Sequence, residues 1–186
     1  MALLRIDHVP ESVQVNLPLI LLLPDPGNIG EIPVRQRKVL YLLHGLSDDA
    51  TAWQRYTSIE AVASAYGLVV VMPSVGRSFY ADLPNGQRYF TYLTQELPQY
   101  LSDVFNLAPA REDTLIAGNS MGGYGAFKAA FAYPERFAAA WASSQMSSVR
   151  DVAAMPSSSA CRGTAKRTVP TTGTGASSTA SRRAHF

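Results

Sequence analysis

Short apolar runs alternate with stretches of helical periodicity along the first 143 residues of the chain. Residues 3–23 predict two strands, because alternating and then continuous apolar residues are interrupted by a Pro-Glu-Ser segment. The continuous apolar runs 39–43, 68–72 and 114–117 suit strands that are buried on both faces of a sheet. A further strand is predicted over residues 137–143.

Three helices are predicted between these strands. The first runs from Thr57 to Gly67, because Thr57 and Glu60 have the spacing of a capping box and glycine commonly ends a helix. The second follows an apolar stripe with Pro98 inside it, which predicts a kink or a later helix start. The stripe consists of Phe90, Leu93, Leu97, Leu101 and Val104. The third helix covers residues 120–132, and the alternation of strands and helices indicates an α/β fold with a mostly parallel sheet and helices on both faces.

The pattern ends at about residue 144. From Gln145 onward the chain has no Leu, Ile, Trp or Tyr, and Ser, Thr, Ala, Gly and Arg dominate. Such a segment buries too little apolar surface to offset its ordering entropy. We therefore expect a folded domain over residues 1–144 that is incomplete at its C-terminus, and a low-complexity, disordered tail over residues 145–186. A frameshift, a misassembly or a wrong termination of a longer gene is our hypothesis for the tail, and the incomplete sheet predicts aggregation or partial unfolding.

Charge separates the same two parts of the chain. The net charge is +2, but residues 145–186 carry six basic side chains and one acidic side chain, and residues 1–144 carry ten basic and thirteen acidic side chains. The tail has no aromatic residue before Phe186, whereas a nucleic-acid surface combines basic and aromatic residues on a folded face. We expect no nucleic-acid partner.

Cysteine and the N-terminal residues limit the remaining classes. The single cysteine, Cys161, excludes an internal disulfide and a cysteine-based metal site. Charged residues interrupt the N-terminal segment where a signal peptide needs an apolar stretch, and the apolar run 17–23 is too short to cross a bilayer. We expect a soluble, cytoplasmic chain with no membrane partner. The sequence leaves the oligomeric state open.

The sequence Gly118-Asn119-Ser120-Met121-Gly122 fits the pattern G-x-S-x-G. It directly follows a predicted strand and opens a predicted helix, which is the setting of the nucleophile elbow in the α/β-hydrolase fold. The turn is so tight that side chains at Gly118 and Gly122 would collide, and it forces Ser120 into a strained backbone conformation. The alternative is a glycine-rich helix entry with no catalytic role.

A serine nucleophile needs donors for the negative charge that develops on the substrate. The N–H of Met121 lies at a helix N-terminus, where amides are free. The second donor is expected in the loop His44-Gly45-Leu46, and the N–H of Leu46 is our candidate. Without Ser120, His44-Gly45 would be read as an ordinary turn at the end of a strand.

Several further segments then resemble one known family. They are Leu43-His44-Gly45-Leu46-Ser47 followed by Trp53, Val71-Met72-Pro73, Tyr80 with Asp82, Glu96-Leu97-Pro98, and Gly118 to Gly125. Residues 1–144 resemble the esterase family that includes tributyrin esterases, S-formylglutathione hydrolase (esterase D) and mycolyltransferases. The tributyrin-esterase branch is the most similar. The resemblance implies an α/β-hydrolase fold, Ser120 as nucleophile, Leu46 and Met121 as oxyanion hole, a small-molecule acyl ester or thioester as substrate, and no metal or organic cofactor.

Serine esterases of this fold place an acid and then a histidine after the nucleophile. Downstream of Ser120 only Asp151 and His185 are available, and both belong to the predicted tail. We regard the order Ser120, Asp151, His185 as nominal, and we expect impaired activity because a true acid and base are missing. Earlier in the chain, His44 belongs to the oxyanion loop and His8 to a strand.

Three functions stay open at this point. The first is a serine carboxylesterase that acts on short-chain acyl esters. The second is a thioesterase like S-formylglutathione hydrolase, although those enzymes typically have histidine where this chain has Asn119 and Tyr124. The third, of another class, is a catalytically dead remnant or binding protein, with the basic tail as an interaction segment in its least favoured form.

Overall fold

A single mixed sheet organises the part of the chain that the computed structural model describes, residues 1–29 and 32–143. The strands are β1 (Ala2–His8), β2 (Leu17–Leu23), β3 (Val39–Leu43), β4 (Val69–Pro73), β5 (Thr114–Asn119) and β6 (Ala139–Ser143). Their order in the sheet is β1-β2-β4-β3-β5-β6. Strands β4, β3, β5 and β6 are parallel, and β2 pairs antiparallel with both β1 and β4. The mostly parallel sheet predicted from the sequence is confirmed, with a two-stranded antiparallel edge.

Helices cover both faces of this sheet, as expected. They are α1 (Pro26–Ile29), α2 (Ala52–Tyr56), α3 (Ile59–Tyr66), α4 (Tyr89–Thr91), α5 (Leu97–Phe105) and α6 (Met121–Ala132). A π-helix, Tyr92–Glu96, joins α4 to α5, and short 3₁₀ turns lie at Val34–Gln36 and Arg111–Asp113.

Successive residues of the central strands pack into two different cores, because side chains alternate between the faces of a sheet. On one face, Tyr41 and Leu43 of β3 pack with residues of α5 and α6, such as Leu97, Leu101 and Ala126. On the other face, Leu40 and Leu42 of β3 pack with residues of α2 and α3, namely Trp53, Ile59, Val62 and Ala63. All five residues of β3 and of β4 are buried. Their continuous apolar sequences therefore reflect burial on both sides.

The capping box predicted at Thr57 and Glu60 is wrong. Helix α3 begins at Ile59, and the side chain of Ser58, at its N-cap, makes no capping hydrogen bond. The Thr57 hydroxyl donates instead to the carbonyl of Trp53 and so closes the preceding helix, α2. Glu60 accepts a hydrogen bond of 2.9 Å from Gln54. The predicted end at Gly67 is confirmed, because this residue has the left-handed φ of 64°.

Pro98 perturbs its helix one turn earlier than the residue itself. Proline has no N–H for the carbonyl four residues before it, which here belongs to Thr94. The π-helix lies at this position, and the guanidinium of Arg136 donates to the Thr94 carbonyl. The predicted apolar stripe is wrong at its end, since Val104 is 56% exposed.

The predicted tail, residues 145–186, and the predicted domain boundary at residue 144 lie outside the described residues. Within the described residues, no helix is both long enough and apolar enough to span a membrane.

Candidate active site

Ser120 lies in the sharp turn between β5 and α6. Its backbone has φ 52° and ψ −113°, a conformation that residues with a Cβ rarely adopt, and the residue is exposed. Its N–H donates a hydrogen bond of 2.8 Å to the carbonyl of Ser143, and its carbonyl accepts a bond of 3.1 Å from the N–H of Tyr124. The turn thus holds the serine at the carboxyl edge of the sheet with its side chain accessible.

Two glycines make this turn possible. A Cβ at Gly118 would lie 2.2 Å from the carbonyl carbon of Gly122. A Cβ at Gly122 would lie 2.3 Å from the carbonyl oxygen of Leu43. Both distances are far below van der Waals contact with backbone atoms that cannot move away, so only glycine fits at either position.

The other two glycines of the motif serve packing. A Cβ at Gly123 would lie 2.7 Å from the Cβ of Ala142 on β6. A Cβ at Gly125 would lie 2.5 Å from the ring of Tyr80. Gly123 thus packs against the sheet as expected, whereas Gly125 packs against a tyrosine of the loop after β4.

The loop that follows β3 passes beside the serine. A Cβ at Gly45 would lie 3.7 Å from the Cβ of Ser120 and 3.2 Å from Nδ2 of Asn119. Leu46, the next residue, is 38% exposed. Within the described residues, the Leu46 N–H has no hydrogen-bond acceptor. The N–H of Met121 is also free of an intrahelical partner, because it belongs to the first residue of α6. The geometry therefore brings both expected amide donors into the neighbourhood of Ser120.

His44 is held as a neutral imidazole by two hydrogen bonds. It is 1% exposed, its Nε2 accepts a bond of 3.0 Å from the N–H of Val75, and its Nδ1 lies 2.8 Å from the carbonyl oxygen of Gly45. The proton must therefore be on Nδ1, which donates to Gly45. Burial lowers the pKa of His44, although the bond to Gly45 opposes the change. Both ring nitrogens are engaged, so His44 is unavailable as a general base for Ser120.

His8 lies too far away for that role. Its Nε2 is 2.9 Å from the hydroxyl of Tyr92, and burial lowers its pKa while the charge of Glu96 raises it. His8 is the last residue of β1, which is four places from β5 in the sheet. At about 4.8 Å for each neighbouring strand, the separation is about 19 Å. A general base must come within about 3 Å of the hydroxyl.

The nominal acid and base, Asp151 and His185, lie outside the described residues. Among residues 1–29 and 32–143 there is also no group of three or more His, Cys, Asp or Glu side chains that could hold a metal ion.

Two side chains near the site were not assigned a role from the sequence. The hydroxyl of Tyr80, which is fully buried, donates a bond of 3.0 Å to the carbonyl of His44. Lys128 of α6 donates a bond of 2.9 Å to the carbonyl of Tyr80. Residue spacing gives no signal for these contacts, because they join three loops and helices that are distant in sequence.

Comparison with known proteins adds a family. The model of the family described as "Putative esterase" matches residues 11–176. An acetyl esterase of Caldicellulosiruptor saccharolyticus is 29% identical to this chain over 161 residues, which is 84% of this chain and 60% of that protein.

Solved structures agree with this family. The fluorophosphonate-binding serine hydrolase FphF of Staphylococcus aureus, in its substrate-bound form, superposes with a TM-score of 0.68 and 38% identity over 75% of this chain and 55% of that chain. An S-formylglutathione hydrolase of the same organism gives a TM-score of 0.65 and 37% identity over 74% of this chain and 54% of that chain. The chain thus spans between half and two thirds of the length of these relatives.

Proposed function

The chain belongs to the Putative esterase family, and on that basis we propose that it is a serine carboxylesterase that hydrolyses short-chain acyl esters through an acyl-enzyme on Ser120. The observation that carries the proposal is the position of Ser120. It is an exposed serine with φ 52°, at the N-terminus of α6 and beside Gly45 of the loop after β3. This is the arrangement that a nucleophile elbow requires.

The proposed reaction has two steps. In the first, the Ser120 oxygen attacks the ester carbonyl carbon and gives its proton to a base, and the bond to the alcohol breaks, so that the alcohol leaves with a proton from that base. In the second, water attacks the acyl-enzyme, and the carboxylic acid and free Ser120 are formed. The N–H groups of Leu46 and Met121 receive the negative charge on the carbonyl oxygen in both steps.

The base in this mechanism is a histidine in related chemistry. The chain contains three histidines, His8, His44 and His185. The contacts of His8 and His44 described above leave neither of them free to act on Ser120. If a histidine of this chain is the base, it is therefore His185, with Asp151 as the accompanying acid. If His185 does not reach the site, the chain is a remnant that keeps the elbow without fast turnover.

A thioesterase activity is the second candidate. It is favoured by the 37% identity to a solved structure named as an S-formylglutathione hydrolase. The substrate would then be an acyl thioester, attacked at the same carbonyl carbon with a thiol as leaving group. Hydrolysis rates with S-formylglutathione and with p-nitrophenyl butyrate, measured on the same preparation, separate the two candidates.

Steady-state hydrolysis of p-nitrophenyl butyrate tests the proposal. We expect Ser120→Ala to abolish hydrolysis above the buffer rate, and Ser58→Ala, which alters an exposed serine without a capping bond, to leave the rate unchanged. His185→Ala should lower the rate if His185 is the base. Hydrolysis that persists in Ser120→Ala would overturn the proposal, and no hydrolysis by the unaltered chain would favour the remnant.

A cytoplasmic location is part of the same proposal. It is supported by the N-terminal residues 2–8, which form the charged strand β1 and pair along their whole length with β2. Fractionation of cells that express the chain, with immunodetection in the cytoplasmic and secreted fractions, tests it.

A further inference from the structure

Three successive carbonyl groups at the end of β3 accept hydrogen bonds from buried side chains. The indole N–H of Trp53 donates to Leu43 at 3.0 Å, the hydroxyl of Tyr80 donates to His44 at 3.0 Å, and the ring of His44 donates to Gly45 at 2.8 Å. The three donor residues are each at most 1% exposed. Buried hydrogen bonds of this kind are costly to break, because the freed carbonyl finds no water. The backbone of this segment is therefore held from one side.

The direction of the Leu46 N–H follows from this arrangement. The described residues contain no cis peptide bond. In a trans peptide, the N–H points opposite to the carbonyl of the preceding residue. The Gly45 carbonyl points to the His44 ring, so the Leu46 N–H points away from that ring. Because the Leu46 N–H has no acceptor within the described residues, it is available to a ligand at Ser120.

The His44 ring is itself fixed in its donating form. The N–H of Val75 donates to Nε2 at 3.0 Å, which requires the proton to be on Nδ1. The bond between Nδ1 and the Gly45 carbonyl is therefore present in the resting protein. A different tautomer would leave two buried groups without partners.

Tyr80 is held in an unusual backbone conformation for its contact with His44. Phe79 and Tyr80 have φ values of 52° and 50°, two successive left-handed residues that are not glycine. Such residues cost of order 1–3 kcal/mol each and persist where surrounding contacts enforce them. Here the contacts are the Tyr80 ring against Gly125, the bond from Lys128 to the Tyr80 carbonyl, and the bond from the Tyr80 hydroxyl to His44. Tyr80 therefore links helix α6, which carries Ser120 at its N-terminus, to the loop that carries Leu46.

We propose that Tyr80 and His44 are positioning residues that hold the Leu46 N–H toward the acyl oxygen of a substrate on Ser120. The inference rests on the proposed function, because it assigns a role to the loop beside the nucleophile. Neither side chain touches the reacting atoms. Tyr80 fixes the His44 carbonyl and the His44 ring fixes the Gly45 carbonyl, so the amide donor is oriented before the substrate binds.

The test compares Tyr80→Phe with Tyr92→Phe in the full chain. Both variants remove one hydroxyl from a fully buried tyrosine. The Tyr92 hydroxyl pairs with His8, far from Ser120. The first measurement is the ¹⁵N order parameter of the Leu46 amide. The second is the rate of Ser120 modification by a fluorophosphonate, followed by intact mass, at several probe concentrations.

We expect the Leu46 order parameter to fall from about 0.85 to below about 0.6 in Tyr80→Phe and to stay unchanged in Tyr92→Phe. We expect the maximal modification rate to fall roughly 10-fold in Tyr80→Phe, with the half-saturating concentration nearly constant, because the donor acts on charge that develops only in the transition state. A Leu46 amide that stays rigid in Tyr80→Phe, or an equal loss in Tyr92→Phe, would overturn the inference.

A second pair of variants covers the case that Tyr80→Phe does not fold. His44→Ala removes the donor to Gly45, and His44→Asn keeps an N–H near the position of Nδ1. The inference expects the Leu46 amide to be mobile in His44→Ala and partly restored in His44→Asn, and equal mobility in both would contradict it. If the unaltered chain shows no modification at Ser120, the proposed function fails, but the Leu46 order parameters still decide the positioning role.

Discussion

The α-carbon of Gly122 packs directly against the carbonyl oxygen of Leu43, so closely that a Cβ would lie 2.3 Å from that oxygen. Gly122 belongs to the first turn of α6, and Leu43 is the last residue of β3. The helix that follows the nucleophile is thus pressed onto the strand end from which the expected oxyanion loop begins. The two expected amide donors, on Leu46 and Met121, become neighbours through this contact.

Gly122→Ala should therefore both destabilise the protein and disable Ser120. Overpacking in a well-packed region costs about 1–3 kcal/mol, and the upper end is expected here because the clash is with backbone. Denaturant unfolding measures the loss. Gly27→Ala is the matched control, because a Cβ at Gly27 meets no atom within 4 Å. An equal effect of both substitutions would show that the close approach at Gly122 has no energetic consequence.

The strain at Ser120 predicts a gain in stability when the residue loses its Cβ. A non-glycine residue in such a conformation costs of order 1–3 kcal/mol. Glycine relieves this strain but loses about 0.5–1 kcal/mol of additional chain entropy on folding. We expect Ser120→Gly to raise the free energy of unfolding by about 1 kcal/mol over Ser120→Ala. Urea denaturation of the two variants checks this, and a Ser120→Gly protein that is less stable than Ser120→Ala would contradict it.

Glu96 predicts a pH-dependent contribution to stability. Its carboxylate accepts hydrogen bonds from the N–H of Glu11 and from the N–H and hydroxyl of Ser12. Burial alone would raise the pKa of Glu96, but these bonds lower it below its ordinary value of 4.5. A carboxylate with a lowered pKa in the folded state stabilises the protein above the unfolded pKa and loses that effect as the pH falls through the folded pKa.

Glu96→Gln should consequently cost about 1 kcal/mol at pH 7, since the group is only partly buried. The difference from the unaltered protein should shrink as the pH drops below 4.5. Chemical denaturation at pH 7, 5 and 3.5 measures this trend. A difference that is the same at all three pH values would mean that the charge of Glu96 has no part in the contact.

An exposed aromatic surface predicts self-association. Phe127 and Phe131 of α6 stack with ring centroids 5.9 Å apart and are 40% and 78% exposed. Within the described residues, the neighbouring strand β6 pairs only with β5. Exposed apolar faces and open strand edges promote association. Phe131→Ser should reduce the aggregated fraction in sedimentation velocity, whereas Val9→Ser, at a residue that is 66% exposed near the opposite sheet edge, should have little effect.

The fold was predictable where burial is continuous along the sequence. Residues 39–43 and 68–72 are apolar throughout because β3 and β4 are covered on both faces. The elbow at Ser120 was predictable because a strand, two glycines and a helix occur in direct succession. These features depend on local sequence, so they can be read without the tertiary structure.

Features that depend on contacts between distant segments could not be predicted in this way. Thr57 has the sequence spacing of a capping residue, but its hydroxyl bonds to Trp53 of the preceding helix. The π-helix before Pro98 is stabilised by Arg136, which lies far along the chain. Tyr80 reaches the carbonyl of His44 across 36 positions of sequence. In each case the partner is chosen by packing rather than by spacing.

Location of the acyl group after reaction with an ester tests the central claim most directly. The full chain is incubated with p-nitrophenyl butyrate, quenched in acid and digested, and the butyryl group is mapped by mass spectrometry of the peptides. The account predicts a butyryl group on Ser120, and none on the corresponding peptide of Ser120→Ala. A butyryl group on another residue of the unaltered chain, with Ser120 free, would contradict it.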